Sequence, residues 1–258
     1  PRIMTSANEL PRSLTRTWFL AAGETDAAGL MPVTLMAARA IEVATLHANA
    51  LGIGYTRLVK HHMGWVLARL TIEVDHYPGI NSTYSMTTWI DSINRRFSDR
   101  CFEMTDADGR VCARIRSVWV AIDTETRTMA DLAAIDPESL PLGGRSCPVD
   151  RCRQPSIVIG AECQKQTRTW AYSDLDFNRH VNTLRYLAAA IDCHSLEFHD
   201  ANSICRLEAS FDHECHYGDT MTLLTGPSRR DSAGLTTEII AADGTRAVAV
   251  ELVFTPRL

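Results

Sequence analysis

The most chemically suggestive stretch of the sequence is SDLDFNRHVNTLRYL, residues 173–187, which carries polar side chains at regular spacing. Asp176, Asn178 and His180 stand at every second position, and the following residues have the apolar spacing of a helix. In an extended segment such positions share one face, so a carboxylate, an amide and an imidazole would converge. These groups could activate a nucleophile, move a proton and hold an oxyanion. The alternative is a polar loop in which the first two side chains cap turns and His180 is structural.

The start of the helix after this stretch is a candidate place for negative charge. Asn182 suits the N-cap of the helix. The free N–H groups of a helix N-terminus, together with the helix dipole, favour an anion. An oxyanion formed beside His180 could therefore be stabilised there.

A second polar stretch, FDHECHYGD at residues 211–219, contains two histidines, a glutamate and a cysteine. Strand alternation would set His213 and Cys215 on one face and Glu214 and His216 on the other, so we predict no zinc site here. Glu214 is either a base or orienting group, or a solvated charge. Cys215 is either a nucleophile or a small buried residue.

An internal repeat predicts the elements that position these residues. ETDAAGLMPVTLMAARAIE (24–42) matches SDLDFNRHVNTLRYLAAAID (173–192) without a gap when Asp26 is placed on Asp176. Two further pairs follow in the same order: RLTIEVDHYPG with RLEASFDHECHYGD, and DADGRVCARIRSVWV with AADGTRAVAVELVF. The chain therefore contains two related halves.

The two halves differ at the positions that matter for chemistry. The first half keeps its aspartate, Asp26, but has Ala28 and Leu30 where the second half has the amide and the imidazole. Only the second half has the carboxylate, the amide and the imidazole together. This difference favours a catalytic role for the second half and a different role for the first.

Each half reads as one helix followed by strands rich in β-branched and aromatic residues. The first helical stripe begins after Pro32 and stops at Gly52, and the second runs over 181–198. Asp-Gly pairs at 108–109 and 243–244 predict hairpin turns. One helix per antiparallel sheet, twice over, predicts an α+β protein with two similar domains.

The domain boundaries follow from the repeat and from a Pro/Gly/Ser-containing stretch without periodicity. We predict an N-terminal domain at 1–130, a linker at 131–160 and a C-terminal domain at 161–258. A length of 258 residues, with 45% hydrophobic and 22% charged residues, suits two globular domains.

Charge and cysteine usage narrow the functional classes. A net charge of −5 argues against a nucleic-acid-binding surface. The longest apolar-rich run, 27–54, contains Pro32, Arg39 and Glu42, so we predict no integral membrane segment. Eight cysteines without CxxC or zinc-finger spacing predict a reduced, cytoplasmic protein.

The stretches SDLDFNRHVNTLRYL and FDHECHYGD together resemble the acyl-acyl carrier protein (ACP) thioesterases, whose second half carries DxNxHVN before the central helix and a downstream Glu-Cys pair. The resemblance continues through WVLARLTIEVDHYP, TTWIDSI and SVWVAIDTETR in the first half, so it covers nearly the whole chain. It departs from the family at Thr183, where many members have a second Asn. The resemblance implies two tandem hot-dog domains, each an antiparallel sheet wrapped around a central helix.

The resemblance also implies a function: hydrolysis of the thioester of fatty acyl-ACP, releasing free fatty acid and terminating chain elongation. The catalytic residues it implies are Asp176, Asn178, His180 and Glu214, with Cys215 and Asn182 as accessory residues. Either Asp176 or a water molecule would attack the carbonyl, and both routes stay open. No cofactor and no metal are expected. The alternatives are a hot-dog acyl-CoA thioesterase and a non-catalytic acyl-thioester-binding tandem.

The first half, which lacks the amide and the imidazole, is the predicted holder of the acyl chain. The candidate pocket residues, each equally compatible with ordinary core, are Met36, Ala40, Val43, Trp65, Val66 and Trp89. The expected partner is an acidic ACP bearing a phosphopantetheine-linked acyl chain. Candidate basic residues for docking it, with a solvated face as the alternative, are Arg151, Arg153, Lys165, Arg168, Arg179 and Arg185. A homodimer is an open option for the assembly.

Overall fold

The computed structural model describes residues 10–257. Residues 1–9 of the predicted N-terminal domain, and Leu258, lie outside the described residues. The elements of the first half are β1 (Ser13–Phe19), α1 (Val33–Ala50), α2 (Tyr55–Leu58), β2 (Met63–Val74), β3 (Thr83–Ile93), β4 (Phe97–Asp106) and β5 (Val111–Asp123). Those of the second half are β6 (Gln164–Thr169), α3 (Thr183–Ile191), α4 (Leu196–Ala201), β7 (Asn202–Phe211), β8 (Thr220–Pro227), β9 (Gly234–Ile240) and β10 (Arg246–Pro256).

The ten strands of the described residues belong to one antiparallel sheet, in the order β1-β3-β4-β5-β2-β7-β10-β9-β8-β6. The two halves join where β2 pairs with β7, from Arg69 opposite Ser210 to Glu73 opposite Arg206. Helices α1 and α3 contact each other, and both contribute to one continuous apolar core. The predicted α+β class, with a helix against an antiparallel sheet in each half, is confirmed.

Helix α1 has the ends that its sequence predicts. It begins at Val33 directly after Pro32, and Gly52 follows its last turn with a φ of 72°. A left-handed residue just past a helix is where glycine is preferred. The buried face of α1 includes Met36, Ala40 and Val43, which pack into the core of the first half.

The second half differs from the prediction of a single helical run over 181–198. Helix α3 ends at Ile191, and α4 begins after Ser195, whose side chain accepts a hydrogen bond from the Phe198 N–H at 3.2 Å. A serine N-cap starts a new helix, so one helix over this range is wrong. Small buried residues of α3, Ala189 and Ala190, let the sheet approach the helix closely.

Strands β1 and β6 form the outer edges of the sheet, and the sequence pattern does not reveal them. Their sequences, SLTRTWF and QKQTRT, are mostly exposed and lack apolar alternation. Cross-strand hydroxyl pairs hold each edge to its neighbour: Thr15 with Thr87 and Thr169 with Thr220, both at 2.8 Å. Polar edges of this kind also discourage pairing with a further chain.

A disulfide joins Cys101 on β4 to Cys147, with their Cα atoms 5.7 Å apart. The other six cysteines are free. The prediction of a fully reduced chain is therefore wrong for this pair, because the segment after β5 folds back against β4. The Trp89 indole N–H, which donates to the Arg145 carbonyl at 3.1 Å, holds this segment in place. Within residues 10–257, no helix combines the length and apolar character that a membrane span requires.

Candidate active site

The loop before α3 closes on itself around Asp176. The Asp176 N–H donates to the His180 carbonyl at 2.8 Å, and the Arg179 N–H donates to the Asp176 carbonyl at 3.0 Å. The Asp176 Oδ1 accepts hydrogen bonds from the N–H groups of Asn178 at 2.8 Å and His180 at 3.3 Å. The segment is therefore a turn, and the extended geometry predicted for it is wrong, because aspartate offers nearby N–H groups an acceptor.

The first half contains the same loop without the chemistry. The Asp26 Oδ1 accepts from the N–H groups of Ala28 at 2.9 Å and Leu30 at 3.0 Å. Gly29 has a φ of 72°, and Arg179 at the equivalent position has a φ of 65°. The aspartate that both halves share is thus explained by loop formation, and the residues specific to the second loop are its amide and its imidazole.

The second loop is fastened to the segment that carries Glu214. The Val181 N–H donates to the Cys215 carbonyl at 2.9 Å, and His180 forms a backbone bridge with His216. The His180 Nε2 lies 3.5 Å from a Glu214 carboxylate oxygen. The rings of His180 and His216 meet edge to face with centroids 5.1 Å apart. The structure thus brings together an imidazole and a carboxylate that lie 34 residues apart in the sequence.

The repeat also identifies the residue that replaces Glu214 in the first half. The Met31 N–H donates to the Pro78 carbonyl at 2.9 Å, the counterpart of the bond between Val181 and Cys215, which makes Tyr77 the equivalent of Glu214. The Tyr77 hydroxyl donates to the Ile204 carbonyl at 2.6 Å, and burial raises the pKa of this phenol. The first half therefore has a structural phenol where the second has an acid.

Cys215 is held as a packed residue. Its side chain is buried, and burial raises the pKa of the Cys215 thiol, which disfavours the thiolate that a nucleophile requires. The Cys215 N–H donates to the Tyr186 hydroxyl at 3.0 Å. Pro78, the counterpart of Cys215, has no N–H to satisfy. These contacts favour the structural interpretation of Cys215 over the nucleophilic one.

Asn182 is the N-cap of α3, as predicted. Its side-chain oxygen accepts from the Leu184 N–H at 2.9 Å, and its own N–H donates to the Asp174 carbonyl at 2.8 Å. The buried Asp174 carboxylate accepts from the Ala171 N–H at 2.9 Å and contacts Arg168 at 3.3 Å. The helix N-terminus is thereby fixed two residues after His180. An accessory role of Asn182 in the chemistry stays a prediction.

Nothing in the sequence pattern points to Arg127, which the structure places at the site. This residue follows β5 in the first half and forms an ion pair with Glu214 of the second half. The Asp123 carboxylate shapes the turn by accepting from the Glu125 N–H at 2.9 Å. Arg127 has a φ of 59°, so it shares a left-handed backbone with Arg179. Strained non-glycine residues of this kind concentrate at functional sites.

A second contact between the halves lies on the same loop. Phe177, 75% exposed, meets Tyr55 of α2 edge to face with ring centroids 5.5 Å apart. Next to α2, the His62 imidazole contacts Glu125 at 2.9 Å, which ties this part of the first half to the turn that carries Arg127. The first half therefore supplies one wall of the site.

The predicted acyl-pocket residues lie in or beside the core of the first half. Met36, Ala40, Val43 and Trp89 are buried, whereas Trp65 and Val66 are half-buried. Neither a cavity of about 580 Å³ nor one of about 420 Å³ is lined by any of these six residues. The smaller cavity lies beside the turn that carries Arg127, with Asp123 and Thr128 in its wall. Acyl binding by the six residues stays a prediction.

The basic residues predicted to dock a carrier protein differ in whether they already form ion pairs within the chain. Arg151 contacts the buried Asp99 at 2.7 Å, and Arg168 and Arg185 both contact Asp174, at 3.3 and 3.9 Å. These three are engaged within the chain. Of these six candidates, Arg153, Lys165 and Arg179 pair with no acidic residue in the part of the chain that the structure describes.

The site also offers a set of donors for a metal ion. The ligand atoms of His180, Glu214 and His216 lie within 4.8 Å of one another. The stretch that contains Cys215 leaves the strand after Phe211, so strand alternation does not apply to it, and the set contains His216 without His213. The absence of a zinc site in this stretch stays a prediction. A divalent ion could bind the three donors, and the hydrolytic chemistry proposed below uses the same residues without one.

The described residues form one continuous antiparallel sheet with a helix in each half, and the loop with the amide and the imidazole occurs in the second half alone. These features define the class of tandem hot-dog proteins in which one half carries the candidate catalytic residues. Two family models match the chain: the acyl-ACP thioesterase N-terminal domain over 11–136 and the acyl-ACP thioesterase C-terminal domain over 161–256. The chain belongs to the acyl-ACP thioesterase family. This confirms the resemblance seen in the sequence.

Individual relatives agree with this assignment. A chloroplastic acyl-acyl carrier protein hydrolase (FATB3) of Cuphea viscosissima is 24% identical over 81% of this chain, and a chloroplastic oleoyl-ACP thioesterase of Coriandrum sativum is 27% identical over 81%. The chain spans 54% and 61% of the lengths of these two relatives. The crystal structure of an acyl-ACP thioesterase from Bacteroides thetaiotaomicron is 26% identical and superposes with a TM-score of 0.86, covering 95% of this chain and 98% of that one.

Proposed function

We propose that the protein hydrolyses the thioester of fatty acyl-ACP, releasing free fatty acid and terminating chain elongation. The observation that carries this proposal is the contact between His180 and Glu214, 3.5 Å apart, in the second half alone. The first half has Leu30 and Tyr77 at the same positions of the same loop and strand end. The chain belongs to a family of thioesterases, and one of its two halves carries the imidazole and the carboxylate in contact. Both observations favour an enzyme over a non-catalytic acyl-binding tandem.

In the mechanism we propose, Glu214 accepts a proton from a water molecule as the water attacks the thioester carbonyl. His180, in contact with Glu214, relays this proton to the departing sulfur, so that the thiol and the carboxylic acid are released. The tetrahedral oxyanion is held by the Asn178 amide, and the positive end of the α3 dipole favours its charge. Arg127 holds the Glu214 carboxylate in place from the first half.

In this mechanism Asp176 is a positioning residue. Its Oδ1 already accepts two backbone N–H groups, and its twin Asp26 does the same in a half without the amide and imidazole. Hydrogen bonds to the carboxylate stabilise its charge and weaken it as a nucleophile. Hydrolysis in ¹⁸O-labelled water under single-turnover conditions tests this assignment. Label is expected in the released fatty acid in the first turnover, and label in the Asp176 carboxylate would assign the attack to Asp176.

The proposed reaction is tested with an acyl-length panel presented on two carriers. Wild type, His180→Ala and Glu214→Gln are assayed with each acyl chain on ACP and on coenzyme A. We expect wild-type turnover with a higher kcat/KM on ACP, and a loss of more than about 100-fold in both variants. A preference for coenzyme A would identify an acyl-CoA thioesterase. Binding of acyl-ACP without turnover in wild type would identify an acyl-binding tandem.

We also propose that the carrier protein docks on Arg153, Lys165 and Arg179, the candidate basic residues that pair with no acidic residue among the described residues. Reversing the charge of Lys165 or Arg179 is expected to weaken acyl-ACP turnover and to leave turnover of a short soluble thioester unchanged, because an acidic carrier is attracted over several ångströms. Equal losses on both substrates would count against docking there. Light scattering of the purified chain tests the homodimer option.

For the location of the protein in the cell we propose the cytoplasm, because six of the eight cysteines are free, although the Cys101–Cys147 disulfide favours an oxidising compartment. Fractionation of cells that express the protein under its own promoter, with blotting of the soluble and membrane fractions, measures this directly. Recovery from an organelle or from an extracytoplasmic compartment would contradict it.

A further inference from the structure

A second cluster of chemically active side chains lies in the first half, outside the candidate active site. The His76 Nε2 is 3.3 Å from the Asp106 Oδ2 and 3.2 Å from the Cys112 Sγ. The three ligand atoms lie within 4.8 Å of one another. Residues 76, 106 and 112 come from the end of β2, the end of β4 and the start of β5, so the fold alone brings them together.

The geometry of this cluster matches the edges of a metal tetrahedron. Zinc binds histidine nitrogen and carboxylate oxygen at about 2.0–2.2 Å and cysteine sulfur at about 2.3 Å. Tetrahedral angles then place nitrogen and oxygen about 3.3 Å apart and nitrogen and sulfur about 3.5 Å apart. The two distances at His76 lie close to these values, and a mixed nitrogen, oxygen and sulfur donor set suits zinc among the divalent ions.

The Asp106 carboxylate is oriented toward the cluster by its own turn. Its Oδ1 accepts from the N–H groups of Asp108 at 3.0 Å and Arg110 at 2.9 Å, which leaves Oδ2 facing His76. The His76 and Asp106 side chains are 22% and 27% exposed, so an ion can reach them from solvent, whereas Cys112 is buried. The arrangement has three fixed donors and one side open to water.

The internal repeat provides a matched comparison. In both halves the chain after the first core strand donates two N–H groups to one carbonyl of the hairpin: Asp75 and His76 to Cys112 at 2.8 and 3.2 Å, and Asp212 and His213 to Ala247 at 2.8 and 3.0 Å. The hairpin turns also match, with Asp106 bonded to Arg110 as Ala241 is to Thr245. In the second half, the same backbone arrangement has His213 at the position of His76, and Ala241 and Ala247 at the positions of Asp106 and Cys112. The carboxylate and the thiol are therefore specific to the first half.

We propose that His76, Asp106 and Cys112 bind one divalent ion of the zinc class, with water as the fourth ligand. The ion joins the hairpin between β4 and β5 to the residues that follow β2. The site is separate from the set at His180, which contains no sulfur. A metal–thiolate bond therefore distinguishes the two sites.

The test uses the full chain, stripped of metal with a chelator, dialysed and titrated with Co²⁺. We expect a thiolate-to-cobalt charge-transfer absorption that saturates at one equivalent and disappears when one equivalent of Zn²⁺ is added. Cys112→Ala copies the alanine of the second half and is expected to abolish this absorption. Asp106→Asn keeps the turn, because the amide oxygen still accepts the two N–H groups, and is expected to lower Co²⁺ affinity by at least about 10-fold, the smallest loss typical even for a residue that only supports a ligand. His216→Ala is the control and is expected to retain the absorption.

Two results would overturn the proposal: no thiolate absorption in the wild-type chain, or an absorption that survives Cys112→Ala in a variant whose circular dichroism matches wild type. Should Cys112→Ala fail to fold, Asp106→Asn decides the question, because its turn is preserved. Unchanged Co²⁺ affinity in Asp106→Asn would then exclude this donor set.

Discussion

Replacing Asp26 and Asp176 one at a time separates loop formation from chemistry, because the two residues occupy the same loop in the two halves. Asp26→Ala removes the Oδ1 atom that accepts from two backbone N–H groups at 2.9 and 3.0 Å. Asp176→Ala removes the equivalent atom, which accepts at 2.8 and 3.3 Å. The asparagine variants keep an oxygen at the same position and remove only the charge.

The expected loss of stability follows from these contacts. A hydrogen bond contributes about 1 kcal/mol net, and more when one partner is charged, with exposure to water reducing the gain. Two bonds to a half-exposed carboxylate therefore contribute about 2 kcal/mol. We expect each alanine variant to lower the free energy of unfolding by about this amount and each asparagine variant to lower it by less than about 1 kcal/mol.

The catalytic effects are expected to differ between the halves. Asp176→Ala releases the loop that holds Asn178 and His180, and a displacement of about 1 Å can cost about 100-fold in rate. Asp26→Ala disturbs a loop without these groups, so its kcat/KM is expected to stay within about twofold of wild type. Asp176→Asn preserves the loop and is expected to retain activity within about tenfold, because the carboxylate itself does not attack.

Urea unfolding followed by circular dichroism measures the stabilities, and hydrolysis of acyl-ACP measures kcat/KM. An Asp176→Asn variant as stable as expected but inactive would refute the positioning role and assign the carboxylate to the chemistry. Unequal destabilisation by Asp26→Ala and Asp176→Ala would refute the equivalence of the two loops.

Three further outcomes are expected. Arg127→Ala removes a half-exposed ion pair with Glu214, so we expect kcat to fall about fivefold with KM unchanged. Steady-state assays measure both constants, and a change confined to KM would contradict this expectation. Burial, with the Arg100 guanidinium adding to its effect, lowers the pKa of His47 to about 4 in the folded chain, so its stabilisation is complete above about pH 6.5 and is lost as pH falls toward 4. Between pH 7 and pH 4, His47→Gln should lose about 3 kcal/mol less unfolding free energy than wild type. Arg179→Gly copies Gly29 and relieves a left-handed backbone, so thermal unfolding should show a gain of about 1 kcal/mol.

The fold class was predictable because the chain repeats itself. A repeated pattern of helix, strands and Asp-Gly hairpins predicts two copies of one unit, and the glycines at 109 and 244 adopt φ values of 80° and 88° as such turns require. The edge strands β1 and β6 were not predictable in the same way. Most of their side chains are exposed, and β1 places only Leu14 and Trp18 against the core, so no clear apolar alternation marks these strands.

The candidate site was predictable in residue type and only partly in geometry. The difference between DLDFNRHVN and TDAAGLMP identifies, from sequence alone, the half that carries the amide and the imidazole. The turn that replaces the extended geometry depends on where the Asp176 side chain finds N–H groups, a competition that spacing does not show. The break between α3 and α4 likewise depends on a local cap at Ser195.

The sequence by itself determined the class of fold, the duplication, the family resemblance and the copy that carries the polar loop, because these follow from periodicity and from comparison of one half with the other. Only the tertiary structure decided which distant residues meet. Arg127 reaches Glu214, Cys101 bonds to Cys147, and His76 meets the two donors of the hairpin. Such contacts depend on strand register and on the path of connecting segments, and neither quantity is written in the local pattern of the chain.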